Sequence, residues 1–263
     1  MAISLASLRS TRACEAPRIG IYGRPGVGKT TLAATAPNPV FLLTEDGLAS
    51  VRPTPKHTPI CRSYQDVMEW VYTLRTQEHD YKTLVLDSLD GLEPLMVRWI
   101  AEQDGKTPED FALGKGNFGY GKGEARLADE MRVFLEALER LQEAKQMTVI
   151  LTGHDRVKKF EAPDVESYDR YQLSLPDKVA ARVYAWLDVL VFAHYRTSVT
   201  KGQDGNVRGV GTGERLLATE ELPSRVAKNR YSLAREIKMD DAAKAGVVVT
   251  LTNQNGNPQP KQE

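Results

Sequence analysis

The eight residues Gly23-Arg24-Pro25-Gly26-Val27-Gly28-Lys29-Thr30 spell G-x-x-x-x-G-K-[ST], the spacing of a phosphate-binding loop. Its context fits, since the apolar run Ile19-Gly20-Ile21-Tyr22 precedes it and the helix-prone Thr31-Leu32-Ala33-Ala34 follows. Gly23 and Gly28 let the backbone turn its N–H groups inward around phosphate oxygens, and the positive end of the next helix faces the same charge. Lys29 is expected to reach the β- and γ-phosphates as a point charge. The Thr30 hydroxyl is expected to ligate Mg²⁺, with Arg24, Pro25, Gly26, Val27 and Thr31 completing the cradle. The motif predicts a nucleoside triphosphatase that uses ATP and Mg²⁺.

Three further residues could complete such a site. Asp87 ends the apolar run Leu84-Val85-Leu86 and so projects from a strand tip, where a carboxylate can hold Mg²⁺. Glu45 follows the run Phe41-Leu42-Leu43-Thr44 and could orient and deprotonate the water that attacks the γ-phosphate. Its neighbour Asp46 competes for that role. His154 stands just past a strand ending at Thr152-Gly153, where an imidazole can sense the γ-phosphate and pass its loss onward.

Two segments combine cations with aromatic rings. Gly114 to Gly123 interleaves glycines with Lys115, Phe118, Tyr120 and Lys122, and Arg156-Val157-Lys158-Lys159-Phe160 leads into a polar stretch. Cations neutralise phosphates and aromatics stack on bases, which is what single-stranded nucleic acid needs without any sequence code. Both read as mobile contact loops for single-stranded DNA, with a solvated lid or a subunit contact as the alternative.

Elements must hold these residues. Strands are predicted around Ile19, over Pro39 to Thr44, Thr83 to Asp87, Thr148 to Leu151 and Leu187 to Ala193. Between them lie a helix capped by Ser63 and Asp66, a long helix from Glu124 to Lys145 with Leu127, Met131, Phe134, Leu138 and Leu141 on one stripe, and a helix after Pro176. This alternation predicts an α/β fold with a mostly parallel sheet, helices on both faces and ligands at the carboxyl ends of the strands. A β-rich extension with turns at Gly202, Gly205, Gly209, Gly211 and Gly213 follows. The expected organisation is an arm over residues 1–17, a core over 18–240 and a largely disordered segment over 241–263.

Thirty-five basic and 35 acidic residues in 263 balance the charge, so no global basic surface announces nucleic acid and any DNA groove must be local. Cys14 and Cys61 lie far apart, suggesting neither a disulfide framework nor a zinc site and fitting a reducing cytoplasm. No apolar run is long enough to span a membrane.

Together these motifs resemble the RecA-like recombinase family. The family's strand after the phosphate-loop helix ends in F-I-D-A-E-H-A-L, and Phe41 to Leu48 reads F-L-L-T-E-D-G-L, which puts Glu45 on the catalytic glutamate. Asp87-Ser88 matches the magnesium strand. Gly153-His154 stands where the family has a polar Asn-Gln, and Ala49 stands where it has an aspartate, leaving the base contacts unassigned. Lys228-Asn229-Arg230 is similar to a Lys-Asn-Lys whose cations reach a neighbour's γ-phosphate, which implies trans-acting Lys228 and Arg230; a basic surface turn is the alternative. The short core looks most like phage-encoded RecA-like single-strand annealing proteins. That likeness implies a homo-oligomeric ring or filament in the bacterial host cytoplasm, ATP-linked binding and annealing of single-stranded DNA, and a single-strand-binding protein as partner. Rival readings are a P-loop kinase, or an ATPase accessory or loader acting on a protein.

Overall fold

The computed structural model describes residues 16–161, 166–201 and 207–252, and the basic arm before residue 16 and the tail after residue 252 lie outside them. The strands are β1 (Arg18–Gly23), β2 (Pro39–Leu43), β3 (Lys56–His57), β4 (Thr83–Asp87), β5 (Thr148–Gly153), β6 (Asp155–Phe160), β7 (Tyr168–Leu173), β8 (Val189–Lys201), β9 (Val207–Ala218), β10 (Lys228–Asn229) and β11 (Glu236–Lys238). The helices are α1 (Lys29–Ala33), α2 (Tyr64–Thr76), α3 (Leu89–Gln103), α4 (Pro108–Ala112), α5 (Lys122–Lys145), α6 (Asp177–Trp186), α7 (Met239–Ala245) and α8 (Val247–Thr252).

Among the described residues nine strands form one sheet in the order β11-β9-β8-β1-β5-β4-β2-β3, with β10 pairing β8. The run from β8 to β3 is parallel, and β9, β10 and β11 join antiparallel at the other edge. Side chains alternate between faces along each strand. Ile19, Ile21, Val85 and Ile150 therefore meet α1, α7 and α8 residues such as Leu32, Met239 and Leu251 in one core. Tyr22, Leu84, Leu86 and Leu151 meet Val67, Leu92, Phe134 and Val183 in the other. The α/β class, the mostly parallel sheet and the β-rich extension are as the sequence predicts.

The expected helices have their expected causes. In α2 the Ser63 hydroxyl accepts from the Asp66 N–H at 3.1 Å while the Asp66 carboxylate accepts from the Ser63 N–H at 3.0 Å, a reciprocal cap. On α5 the stripe Leu127, Met131, Phe134, Leu138 and Leu141 is buried.

Three expectations are corrected. Arg156 to Phe160 is no loop but β6, paired antiparallel with β7 from Asp155↔Leu173 to Phe160↔Tyr168. Gly209, Gly211 and Gly213 lie inside β9 rather than at turns, because β8 and β9 form one long antiparallel ribbon, and Gly202 and Gly205 lie outside the described residues. The core does not stop at residue 240, since α7 and α8 bury Ala242, Val247, Val248 and Leu251.

Candidate nucleotide site

The phosphate loop leaves β1 at Gly23, where β8 comes so close that an added Cβ would stand 2.1 Å from the Ala193 carbonyl oxygen. Only glycine fits. Gly28 precedes α1 at φ +104°, a left-handed conformation that glycine adopts without strain. Arg24, Pro25, Gly26 and Thr31 are exposed, whereas Val27 is buried, so its contribution is its backbone. Lys29 is 7% exposed, and its Nζ donates to the carbonyls of Gly23 at 2.8 Å and Arg24 at 3.1 Å. Burial pulls this ammonium below the usual lysine range, opposed by Asp90, Asp87, Asp155 and Glu45. Four carboxylates thus bear on one lysine.

Asp87 closes β4 and is buried. Its Oδ1 accepts from the Thr152 hydroxyl at 2.6 Å, while Oδ2 is buried without a partner. A Cβ placed on Gly47 would stand 2.8 Å from that Oδ2 and 3.8 Å from the Thr30 Oγ1. The loop hydroxyl and the free carboxylate oxygen therefore face one point. Two hard oxygens beside a phosphate cradle suit Mg²⁺, which keeps several waters and takes few protein ligands. Among the described residues no cluster of three or more His, Cys, Asp or Glu forms a separate metal site.

Thr44 fixes the end of β2 against β4. Its hydroxyl accepts from the Ser88 N–H at 2.8 Å and donates to the Ser88 carbonyl at 2.7 Å, and its own N–H donates to the Asp87 carbonyl at 2.9 Å. Glu45 follows immediately and is half-buried, near enough to bear on both Lys29 and His154, while Asp46 is exposed.

His154 is held by Asp90, whose Oδ2 accepts from the His154 N–H at 2.6 Å and lies 3.3 Å from Nδ1. The side-chain contact between Nδ1 and the Asp90 carboxylate raises the imidazole above the usual histidine range, against burial and Lys29. The fold therefore brings Lys29, Thr30, Glu45, Asp87 and His154 together at the carboxyl ends of four strands. Asp90, Thr44 and Thr152 were not singled out in the sequence. Asp90 had a signal, an acid in the first turn of the helix that follows the metal strand. Arg215 of β9 is a further cation at the loop, 3.5 Å from the Val27 carbonyl.

Lys228 and Arg230 lie elsewhere. Lys228 Nζ donates to the Tyr184 and Ala185 carbonyls at 2.8 and 3.0 Å, and Arg230 pairs with Asp188 at 2.9 Å. Asp188 also binds Arg18, the first residue of β1, so both cations sit at the end of the sheet opposite the phosphate loop. They cannot reach the loop of the same chain.

The two cationic, aromatic segments both come close to the first turn of α6. Asp177 in its first turn pairs with Arg156 at 2.7 Å and with Lys158. The next residue, Lys178, donates its N–H to Glu124 at 3.0 Å, at the start of α5. Lys159 is exposed and Phe160 is 39% exposed, with Arg170 5.1 Å from its ring. Tyr120 and Lys122 are exposed, and Lys115 pairs with Asp110 at 3.1 Å. Phe118 departs from the expectation. It is 3% exposed and packs 4.9 Å from Phe111, so its ring closes the core beneath the glycine-rich turn and cannot stack on a base.

With this geometry in hand, the family can be read. A family model described as an AAA domain matches residues 15–231. The chain belongs to that family. Membership makes it a P-loop ATPase, in agreement with the loop, the Asp87 carboxylate and the half-buried Glu45. No curated protein is significantly similar to the chain in sequence. Among solved structures, the RadB recombinase is 12% identical, with a TM-score of 0.43 over 77% of this chain and 80% of that one. The flagellar accessory protein FlaH of Methanocaldococcus jannaschii is also 12% identical, with a TM-score of 0.39 over 84% of this chain and 83% of that one. Among the described residues no helix is long and apolar enough to cross a membrane.

Proposed function

We propose that the chain is a RecA-like ATPase that binds single-stranded DNA as an oligomer and promotes annealing or strand pairing under the control of bound nucleotide. One observation supports the reading: Asp90, which bears on Lys29, also holds His154, and the next residue, Asp155, begins the strand that bears Arg156, Lys158, Lys159 and Phe160. A change at the γ-phosphate has one residue to travel before it reaches the cationic strand.

In this reading Lys29 and the loop backbone bind the phosphates, Thr30 and Asp87 would hold Mg²⁺, and Glu45 takes the proton of the attacking water. The metal, when bound, offsets phosphate charge as the leaving oxygen develops. His154, raised towards the charged form by Asp90, favours the triphosphate over the diphosphate. Exposed Lys159 and Tyr120, with Lys122 and Phe160, supply the phosphate and base contacts of a single strand.

The test is fluorescence anisotropy of a labelled single-stranded oligonucleotide, with and without ATP and Mg²⁺, on the wild type and on Lys29→Ala. Affinity should rise with ATP in the wild type and stop responding in Lys29→Ala, because that change removes the loop side chain that neutralises the β- and γ-phosphates. Absence of oligonucleotide binding under both conditions rejects the DNA reading. Unchanged ATP affinity in folded Lys29→Ala rejects the site.

A further inference from the structure

Strands β6 and β7 pair from Asp155↔Leu173 to Phe160↔Tyr168. Directly opposed residues share a face and successive residues alternate, so Arg156, Lys158 and Phe160 lie on one face with Gln172, Arg170 and Tyr168. The contacts agree. Phe160 and Tyr168 have ring centroids 5.4 Å apart, the Arg170 guanidinium stands 5.1 Å from the Phe160 ring, and Arg156 and Lys158 both pair with Asp177 at the start of α6. The opposite face fastens the pair to the sheet through buried Leu173 and through Tyr171, stacked 5.0 Å from Phe192. Three cations and two rings thus share the face that looks onto α6.

Between that face and α6 lies a cavity of about 550 Å³, lined by Lys158, Phe160, Gln172, Ala180, Ala181 and Tyr184. Its volume falls in the middle of the roughly 300–1,000 Å³ typical of small-molecule sites. Phe160 is 39% exposed and Ala181 is exposed, so a ring and a methyl group that the core does not take up border the open space. Arg156 and Lys158 share the single carboxylate of Asp177, and Lys159 and Glu161 also border the cavity, so cations outnumber acids three to two there. A flat ring and an anion would satisfy this lining together. An acidic side chain answers the cations but not the Phe160 ring. A nucleotide unit of a single strand brings both, a base with a π-face and a phosphate.

We propose that this cavity receives one unstacked base of the bound single strand, which lies against Phe160 while the adjoining phosphate takes the place of Asp177 at Lys158. The inference rests on the DNA reading above and deepens it: a base gains a walled site between the β6–β7 pair and α6, where Ala180 and Ala181 leave the room. Because every base has a π-face, stacking there needs no sequence code.

The experiment is fluorescence anisotropy of the full chain, with ATP and Mg²⁺, against two labelled oligonucleotides of equal length, one of thymidines and one abasic throughout, which keeps the phosphates and lacks every base. The wild type should bind the thymidine strand at least about fivefold more tightly, the lower end of what stacking one base is worth. Ala181→Leu fills the cavity without changing charge. It should weaken the thymidine strand by at least about fivefold and leave the abasic strand within about twofold of wild type, the small effect of a surface substitution. Phe160→Leu, which keeps apolar bulk and removes the π-face, should lose the same preference by a different route, and unchanged ATP affinity shows that each variant is folded. Equal wild-type affinities for the two strands overturn the base cavity and leave the DNA reading to phosphate contacts. A preference that survives both variants also overturns it, as does an equal loss for both strands. So does binding of a glutamate-rich peptide with one Phe that is lost in Ala181→Leu while oligonucleotide affinity stays the same, which would give the cavity to an acidic protein segment. If neither strand binds the wild type, the DNA reading falls and the base cavity with it.

Discussion

Glu45 shows how little separates two adjacent acids in sequence and how much separates them in the fold. The Thr44 hydroxyl, bonded to both the N–H and the carbonyl of Ser88, fixes the strand end so that Glu45 turns inward towards Lys29 and His154 while Asp46 stays exposed. A base must reach the attacking water, and the half-buried Glu45 is the acid proposed for that role. Glu45→Gln should therefore keep ATP binding and slow steady-state phosphate release by about a hundredfold or more, the usual loss when a positioned base is removed. Asp46→Asn should leave turnover within about twofold of wild type, the small effect of a surface substitution. The reverse pattern would exchange the two roles. At this scale the sequence disclosed the residues whose types are tied to a motif, Lys29, Thr30 and Asp87. It did not single out Asp90: an acid in the first turn of the helix after the metal strand was visible, but the hydrogen bond it accepts from a backbone N–H 64 positions away was not.

Among the elements, those with a strong period were legible and those without were not. α5 announced itself through five buried positions on one stripe, and the parallel strands through short apolar runs. The β6–β7 pair carries few apolar residues, its six paired positions being mostly charged or aromatic, so composition alone made it a loop. Phe118 was misread for a related reason, since a glycine-rich segment does not reveal which of its two aromatics turns inward. The hairpin also carries a quantitative prediction. Lys159 is exposed, whereas Lys158 and Arg156 share Asp177. Replacing Lys158 and Lys159 with Ala should lower the slope of log affinity against log salt for single-stranded DNA by roughly 0.7 if Lys159 alone contacts phosphate, and by roughly 1.4 if both do. Phe160→Ala should cost affinity, on the order of 1–3 kcal/mol, with little change in slope, because stacking releases no counterions. Identical slopes for the wild type and the double-lysine variant would remove the hairpin from the DNA surface.

On the scale of the whole molecule, the distance between the phosphate loop and the Lys228–Arg230 pair is the fact to explain. The pair occupies the opposite end of the sheet, where Lys228 caps the last carbonyls of α6 and Arg230 shares Asp188 with Arg18. In a head-to-tail assembly the two ends meet, so a cation at this end can serve a neighbour's loop in the manner of an arginine finger. Both side chains would have to exchange their present partners for phosphate, which makes assembly and hydrolysis interdependent. Replacing both with Ala should leave nucleotide binding by the isolated subunit nearly intact and suppress hydrolysis. Mixing then separates a trans role from a structural one. The Lys228/Arg230 variant retains Glu45, and the Glu45→Gln variant retains its cations, so mixed assemblies contain interfaces with both working parts. Those interfaces should restore part of the ATPase rate, read by coupled phosphate release after subunit exchange has been shown by energy transfer between labelled chains. Exchange without any recovery of activity would assign the pair to holding α6 and β1 in register, and hydrolysis would then depend on cations nearer the loop, of which Arg215 is the first to test.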